Sequence, residues 1–431
     1  MSKTALRHTL FDGIQKMPAV GVGVGFCAAE MAKDRPFVTP VELWAKNPRL
    51  LRALAIAGVS EDALSGDAAD FEKLTAWVES LPRTVGATLF ADLAEDLALL
   101  GVSEPLRSAN VQSLWRATCD ALAGADFTPT ALLSKNYASL VSVDATETLS
   151  DFPVKNAVYP LVLFDALFEV ESPDFAARMR AFSKETGADI ADLTAFEIAV
   201  GKVLDRAVTL GARAVSVDVS CLSHFERPNP YHAGQALLHS LSGRGEALTA
   251  KEIAVWHAEL LRLLGLAARA RGLSLILRVR PKTERVLGDF SVYALEKLLS
   301  YLEGRGALVK TALSLAAGDL PRGLAGLLGR FRREDGTPML YFGIEGAGAS
   351  RAALRRSLHF YFERGALPVL LGITDSDVGH FGAPTRTRFA HVLADLLARF
   401  AATDGAGFAE EELLSAARAC FFEQAASFFN L

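Results

Sequence analysis

The feature that most constrains this chain is a recurrence. Eight short runs of β-branched and apolar residues are each bounded by turn chemistry and followed by a helix-like pattern. They cover residues 19–24, 139–144, 158–164, 214–220, 273–280, 309–315, 339–344 and 369–374. The runs are continuously apolar rather than alternating, which suits strands buried on both faces of a parallel sheet. Amphipathic spacing fills the gaps, most clearly over 251–271, where Thr249 and Glu252 predict a capping box and Gly272 a left-handed stop. Residues 350–363 and 386–400 show the same spacing. Eight strands alternating with helices in 431 residues predict an α/β fold, a (β/α)8 TIM barrel. A doubly wound open sheet is the alternative. The alternation breaks once, over residues 36–136, which are helical in pattern with breakers at Gly58, Gly66, Pro82 and Gly86. They predict a helical insertion after the first strand, packed over the barrel mouth, with 1–35 and 137–431 forming the barrel.

Composition excludes several classes. Hydrophobic residues at 51% and charged ones at 22% describe a globular chain rather than a disordered one. Forty-five Lys+Arg against fifty Asp+Glu, a net charge of −5 with no basic stripe, argues against a nucleic-acid partner. No apolar run approaches the roughly 18 residues that cross a bilayer, so no membrane partner is expected. The N-terminus lacks the apolar core of a signal peptide, and Cys27, Cys119, Cys221 and Cys420 are scattered without a CxxC. A soluble cytoplasmic protein with reduced thiols is expected; a second copy of the chain as a partner stays open.

In barrels of this type the chemistry gathers at the C-terminal ends of the strands. Here those ends carry Gly23, Gly25, Asp144, Asp165, Ser216, Asp218, Arg278, Arg280, Glu345, Asp375 and Asp377, the last two within GITDSD. Carboxylates and two arginines, with no histidine, predict a polar pocket for a small charged ligand. The plainer reading is a set of ion pairs and helix caps, since an Asp after a strand commonly caps the next helix. No HxH or HExxH occurs, and the spacing of Cys221, His224, His232 and His239 matches no zinc pattern. His257, His359 and His391 fall in helical patterns, as packed or surface residues. GVGVGFCA holds a G-x-G-x-x-A match at Gly23, Gly25 and Ala28, but no second strand follows within the usual ~30-residue unit.

Several stretches then resemble a known family in colinear order. They are AAEMAKDRPF with Glu42–Trp44, GVSEDALSGDAADFEKLTAW, LGARA, GDF, Phe342 with Gly343, LLGITDSD and EEELLSAARACFFEQAASFF. Together they span nearly the whole chain and resemble the uronate (glucuronate) isomerases of the amidohydrolase superfamily. The resemblance implies a (β/α)8 barrel with a helical insertion and the aldose–ketose interconversion of hexuronates such as glucuronate and galacturonate. It also implies a divalent metal such as zinc, held by an HxH pair on strand one, a His on strand five and an Asp on strand eight. Those positions hold Gly23, Gly25, Arg278 and Asp375. The Arg implied two residues later is Asp377, and the strand-three Arg is Leu163. An Asp-His pair becomes Ser216 and Val217, and a Trp pair becomes Gly346 and Ala347.

Scaffold without ligands predicts a pseudoenzyme that has lost the isomerase reaction and acts as a binding or partner protein. A small anionic sugar-acid ligand would meet Arg278, Arg280, Asp144, Asp218 and Glu345, with Asp375 as the retained catalytic carboxylate, no cofactor and no metal. The alternatives are a metal-independent enzyme on a sugar-acid-like substrate and a residual glucuronate isomerase. An uncompensated buried carboxylate costs several kcal/mol, so Arg278 is expected to pair with Asp375 where the metal sat.

Overall fold

The computed structural model describes residues 2–84, 88–149, 152–153, 157–242, 247–280, 290–318, 320–321, 323–374, 380–381, 384–403 and 407–431. Its eight strands are β1 Val20–Val24, β2 Ala138–Asp144, β3 Val158–Leu163, β4 Ala214–Asp218, β5 Ser274–Val279, β6 Thr311–Ala316, β7 Leu340–Glu345 and β8 Leu370–Ile373. Neighbours pair in parallel from β1 through β8, with no reversal of order. Right-handed crossovers that always advance the same way place every helix on one face. The other face is then covered only by curling onto itself, which gives the (β/α)8 barrel. A doubly wound sheet needs a point where the order turns back, and this order has none. Every residue of β5 and β7 is buried, which accounts for their unbroken apolar runs.

Both strands flanking the seam are bulged. The β1 register shifts between Val22 and Val24, at Gly23 with φ 72°. The β7–β8 register shifts between Phe342 and Ile344, and β8 carries Gly372 at φ 74°. A Cβ on Gly372 would lie 2.6 Å from the Cys420 carbonyl, so the C-terminal segment packs directly on β8. Among the described residues no ladder joins β8 to β1, and the barrel is nearly closed there. Helices Lys3–Gln15 and Pro384–Thr403 cover this side, with Phe11 and His391 stacked at 3.7 Å. The helix Ala250–Ala270 opens on the expected capping box: the Glu252 N–H donates to Thr249 Oγ1 and the Thr249 N–H to Glu252 Oε2. Gly272 follows it at φ 67°.

Between β1 and β2 the described elements are all helical, including Pro40–Trp44, Pro48–Ile56, Asp70–Ser80, Thr88–Leu99 and Val111–Leu122. One apolar core runs from them into the barrel. They dock on the loop after β8 through the buried Asp96 carboxylate. It accepts from Trp44 Nε1 at 2.8 Å, His380 Nδ1 at 2.8 Å and the Phe381 N–H at 2.9 Å. Asn47 uses Oδ1 to accept the Arg49 and Leu50 N–H groups, which turns its Nδ2 towards His380 Nε2, 3.0 Å away. That Nε2 must therefore accept, so His380 is held as the neutral Nδ1–H tautomer. The Phe381 ring receives Phe37, Trp44 and Phe127 edge-on.

Each orphaned buried donor costs about 1–3 kcal/mol. Asp96→Ala strands three of them and should lower the unfolding free energy by about 3 kcal/mol or more, read as a lower urea midpoint, with Asp96→Asn milder. Complete burial pushes the Cys420 thiol up to about 12. In the native protein at pH 8, Cys27 should therefore alkylate readily while Cys420 reacts only after unfolding.

Candidate active site at the barrel mouth

The strand ends converge on two ion pairs. Arg278 lies opposite Asp218 on β4 and Ser314 on β6. Its side chain is 6% exposed, so its charge must be met inside the protein. Nη2 donates to both Asp165 carboxylate oxygens, at 2.6 and 2.5 Å, and Nε donates to Ser216 Oγ at 2.8 Å. Asp165 follows β3 and opens the short helix Asp165–Phe168; its Oδ1 also accepts the Asp218 N–H at 2.8 Å. One guanidinium thus ties the ends of β3, β4 and β5. Among the described residues the carboxylate that meets Arg278 is Asp165, and the expected pairing with Asp375 falls on a residue outside them. Arg278 is long enough to cross β4 because the residue beneath it is the small Ser216. Asp375 and Asp377 lie outside the described residues.

The second pair joins β5 to β7. Arg280 Nε donates to both Glu345 oxygens at 3.0 Å. The Glu345 side chain is 4% exposed and that of Arg280 is 37% exposed. Ser314 Oγ donates to Glu345 Oε1 at 3.2 Å and lies 2.6 Å from Thr374 Oγ1. Gly343 makes room for this hydroxyl, since a Cβ there would sit 2.1 Å from Thr374 Cγ2. The Arg280 N–H donates to Ser220 Oγ at 2.7 Å, and that hydroxyl donates to Asp218 Oδ1 at 2.5 Å. Asp144 accepts from the Thr146 N–H and hydroxyl on its Oδ1, at 2.9 and 2.6 Å, which is the cap that an Asp after a strand often makes. Burial, with Asp144 beside it, raises the Glu147 carboxyl. The mouth therefore links Asp218, Arg278, Arg280 and Glu345 through Asp165 and Ser220, while the side-chain hydrogen bonds of Asp144 at the end of β2 go to Thr146. Ser216 was read at a strand end, whereas the hydroxyls of Ser220, Ser314 and Thr374 were not read as site groups, and nothing in their sequence context marks them.

These residues do not fit the implied metal. Gly23 and Gly25 bring no ligand atoms, and a guanidinium is no metal ligand. Among the described residues no three His, Cys, Asp or Glu side chains are grouped to hold an ion. His224 Nε2 donates to the Ala250 carbonyl at 3.2 Å and its Nδ1 lies 3.0 Å from Ser223 Oγ, and His232 lies against Tyr231. His257 stacks on Phe168 at 4.0 Å, and His359 pairs with Glu363. The G-x-G-x-x-A turn leads into helix Ala28–Lys33, where Glu30 accepts the Cys27 N–H at 3.1 Å. A carboxylate thus already serves the helix start that a phosphate would need.

On the insertion side, buried Arg388 pairs with Asp92, and its Nη2 donates to Thr385 Oγ1 at 3.0 Å. Burial, followed by repulsion from Arg49, draws its guanidinium down to about 10.

An eight-stranded parallel barrel, a helical segment after β1 docked on the β8 loop, and a strand-end mouth of carboxylates and arginines define a (β/α)8-barrel protein with a polar site at its strand ends. The chain matches the glucuronate isomerase family over residues 1–429 and belongs to that family. It is 25% identical over 428 residues to a uronate isomerase of Halalkalibacterium halodurans, covering 91% of this chain and 88% of that one. It is 24% identical over 421 residues to a uronate isomerase of Salmonella paratyphi B, covering 90% and 88%. In fold it is similar to the glucuronate isomerase of Caulobacter crescentus, with TM-score 0.83, 17% identity and coverage of 99% and 94%. The uronate isomerase of Thermotoga maritima gives TM-score 0.82 at 16% identity, covering 99% and 97%.

Arg278→His should lower the unfolding free energy by about 3 kcal/mol, near the lower end for a broken buried pair, because Asp165 stays 32% exposed. The double variant Arg278→Met with Asp165→Leu should recover most of that loss. Urea midpoints of the three proteins check both.

Proposed function

We propose that this chain keeps the glucuronate isomerase scaffold without the metal-dependent isomerase reaction, and uses its mouth to bind a small anionic sugar acid. Arg278 carries the reading. At the position where the resemblance implies a metal-ligating His stands a buried guanidinium already committed to Asp165 and Ser216. A catalytic zinc site takes three protein ligands and an open position, and the glycines at 23 and 25 supply none. No metal and no other cofactor is assigned.

The binding role rests on what faces solvent. Arg280 is the more exposed mouth arginine, held by Glu345 in one orientation, and presents positive charge to a ligand carboxylate. Among the described residues Asp144 and Asp218 make their side-chain hydrogen bonds through Oδ1, leaving Oδ2 of each for ligand hydroxyls. Asp375 would add the carboxylate kept from the family's set. Residues 36–136 form the cap of this mouth, and 1–35 with 137–431 form the barrel. Cys27 is exposed, and no disulfide joins the cysteines of the described residues, which suits the reducing cytoplasm.

The purified protein should hold well under one zinc per chain by atomic emission. It should form no ketose from glucuronate or galacturonate above blank, and glucuronate should raise Tm saturably. Arg280→Gln should weaken that effect about tenfold, the loss of one charge-assisted contact worth about 1.4 kcal/mol. One-to-one metal with turnover would restore the isomerase reading, and turnover without metal would make the chain a metal-independent enzyme.

A further inference from the structure

We infer that this chain carries a second anion site, of the phosphate class, in the groove where the lead-ins to β1 and β2 meet the first turn of helix Pro384–Thr403. The groove encloses about 560 Å3. Lys16, Lys135 and Arg386 line it, and among its described lining residues there is no carboxylate. None of them belongs to the mouth network, so the inference stands apart from the sugar-acid reading.

Arg386 is the fixed element. Its Nη2 donates to the Met17 carbonyl at 2.5 Å, and its guanidinium carbon lies 5.3 Å from the centre of the Phe421 ring. A carbonyl and a ring hold it in place, but neither brings a negative charge. Among the described residues Arg386 has no ion pair. Lys135 lies over the Phe127 ring at 5.5 Å, and Asp126 and Asp96 act on it from a distance. Lys16 is exposed. Burial draws both Arg386 and Lys135 below their ordinary values, with the two aspartates partly offsetting the effect at Lys135. Arg386, half-buried and with no ion pair among the described residues, favours an anion beside it, which the exposed Lys16 and Lys135 on the same groove would share.

Charge and shape narrow the class. Three positive groups match a doubly charged phosphate better than a single carboxylate. Thr387 and Gln15 add neutral polar groups to the lining, and the helix start adds its positive dipole end. Phe421, Met17 and Pro18 give an apolar wall that would take an organic substituent. An anion bridging Lys16 and Lys135 to Arg386 would also tie the β1 and β2 lead-ins to the helix after β8, across the side where, among the described residues, no ladder joins β8 to β1. Binding should therefore stabilise the fold.

The full chain is tested by equilibrium dialysis with labelled inorganic phosphate, and by thermal unfolding in phosphate against sodium chloride of equal ionic strength. About one phosphate should be retained per chain, and Tm should rise to a plateau in phosphate alone. The double variant Lys16→Gln with Lys135→Gln changes solvent-facing lysines and should keep its Tm in chloride while binding phosphate at least tenfold more weakly. Arg280→Gln should leave retention unchanged, and phenyl phosphate should displace the label more effectively than inorganic phosphate if the natural ligand is a monoester. Equal Tm in both salts without retention would overturn the site. So would retention that survives loss of both lysines, or that depends on Arg280 instead.

Discussion

A parallel sheet whose strands advance in one direction has one face covered by helices and another that only the sheet itself can cover. That geometric demand governs the molecule. It makes the strands apolar on both sides, as in β5 and β7, and drives polar side chains to the strand ends. It also concentrates irregularity where the curl must be completed. The bulge at Gly23 and the left-handed Gly372 sit on the two strands that flank the seam, where a bulge adds the bend and twist that closure needs. Helices Lys3–Gln15 and Pro384–Thr403 and the C-terminal segment then cover what the ladder leaves open.

At the mouth the same demand has an electrostatic form. Side chains at strand ends point into a confined space, and a charge there has to be balanced by a neighbour. Arg278 is balanced by Asp165, and Arg280 by Glu345, with serine and threonine hydroxyls filling the remaining hydrogen-bonding positions. A chain belonging to the glucuronate isomerase family thus balances both mouth arginines with its own carboxylates. Small residues make this geometry fit: Ser216 lets Arg278 pass, and Gly343 yields space to Thr374.

The insertion is attached by a polar contact rather than by apolar packing alone. Asp96 gathers an indole from Trp44 and an imidazole and a backbone amide from the adjacent His380 and Phe381 beyond β8. Three directional bonds to one buried carboxylate set both the position and the rotation of helix Thr88–Leu99 over the mouth. Asn47 extends this control, because its role as a helix cap dictates which of its amide atoms meets His380.

The strands, the capped helix Ala250–Ala270, the helical segment between β1 and β2, and the residues at each strand end were legible in the sequence, because period, capping and turn chemistry act between residues a few positions apart. The family was legible for a related reason: colinear short motifs survive as local text. Partners were not legible. Arg278 meets Asp165, a carboxylate 113 residues away that no local pattern joins to it. His380 meets Asp96 across 284 residues, and no local pattern marks either as a site. Those choices depend on strand order, side-chain reach and the size of the residue in between. The sequence alone thus determined which elements form and where their polar ends lie, and only the tertiary structure decided which charges meet, because a buried charge takes the nearest partner in space.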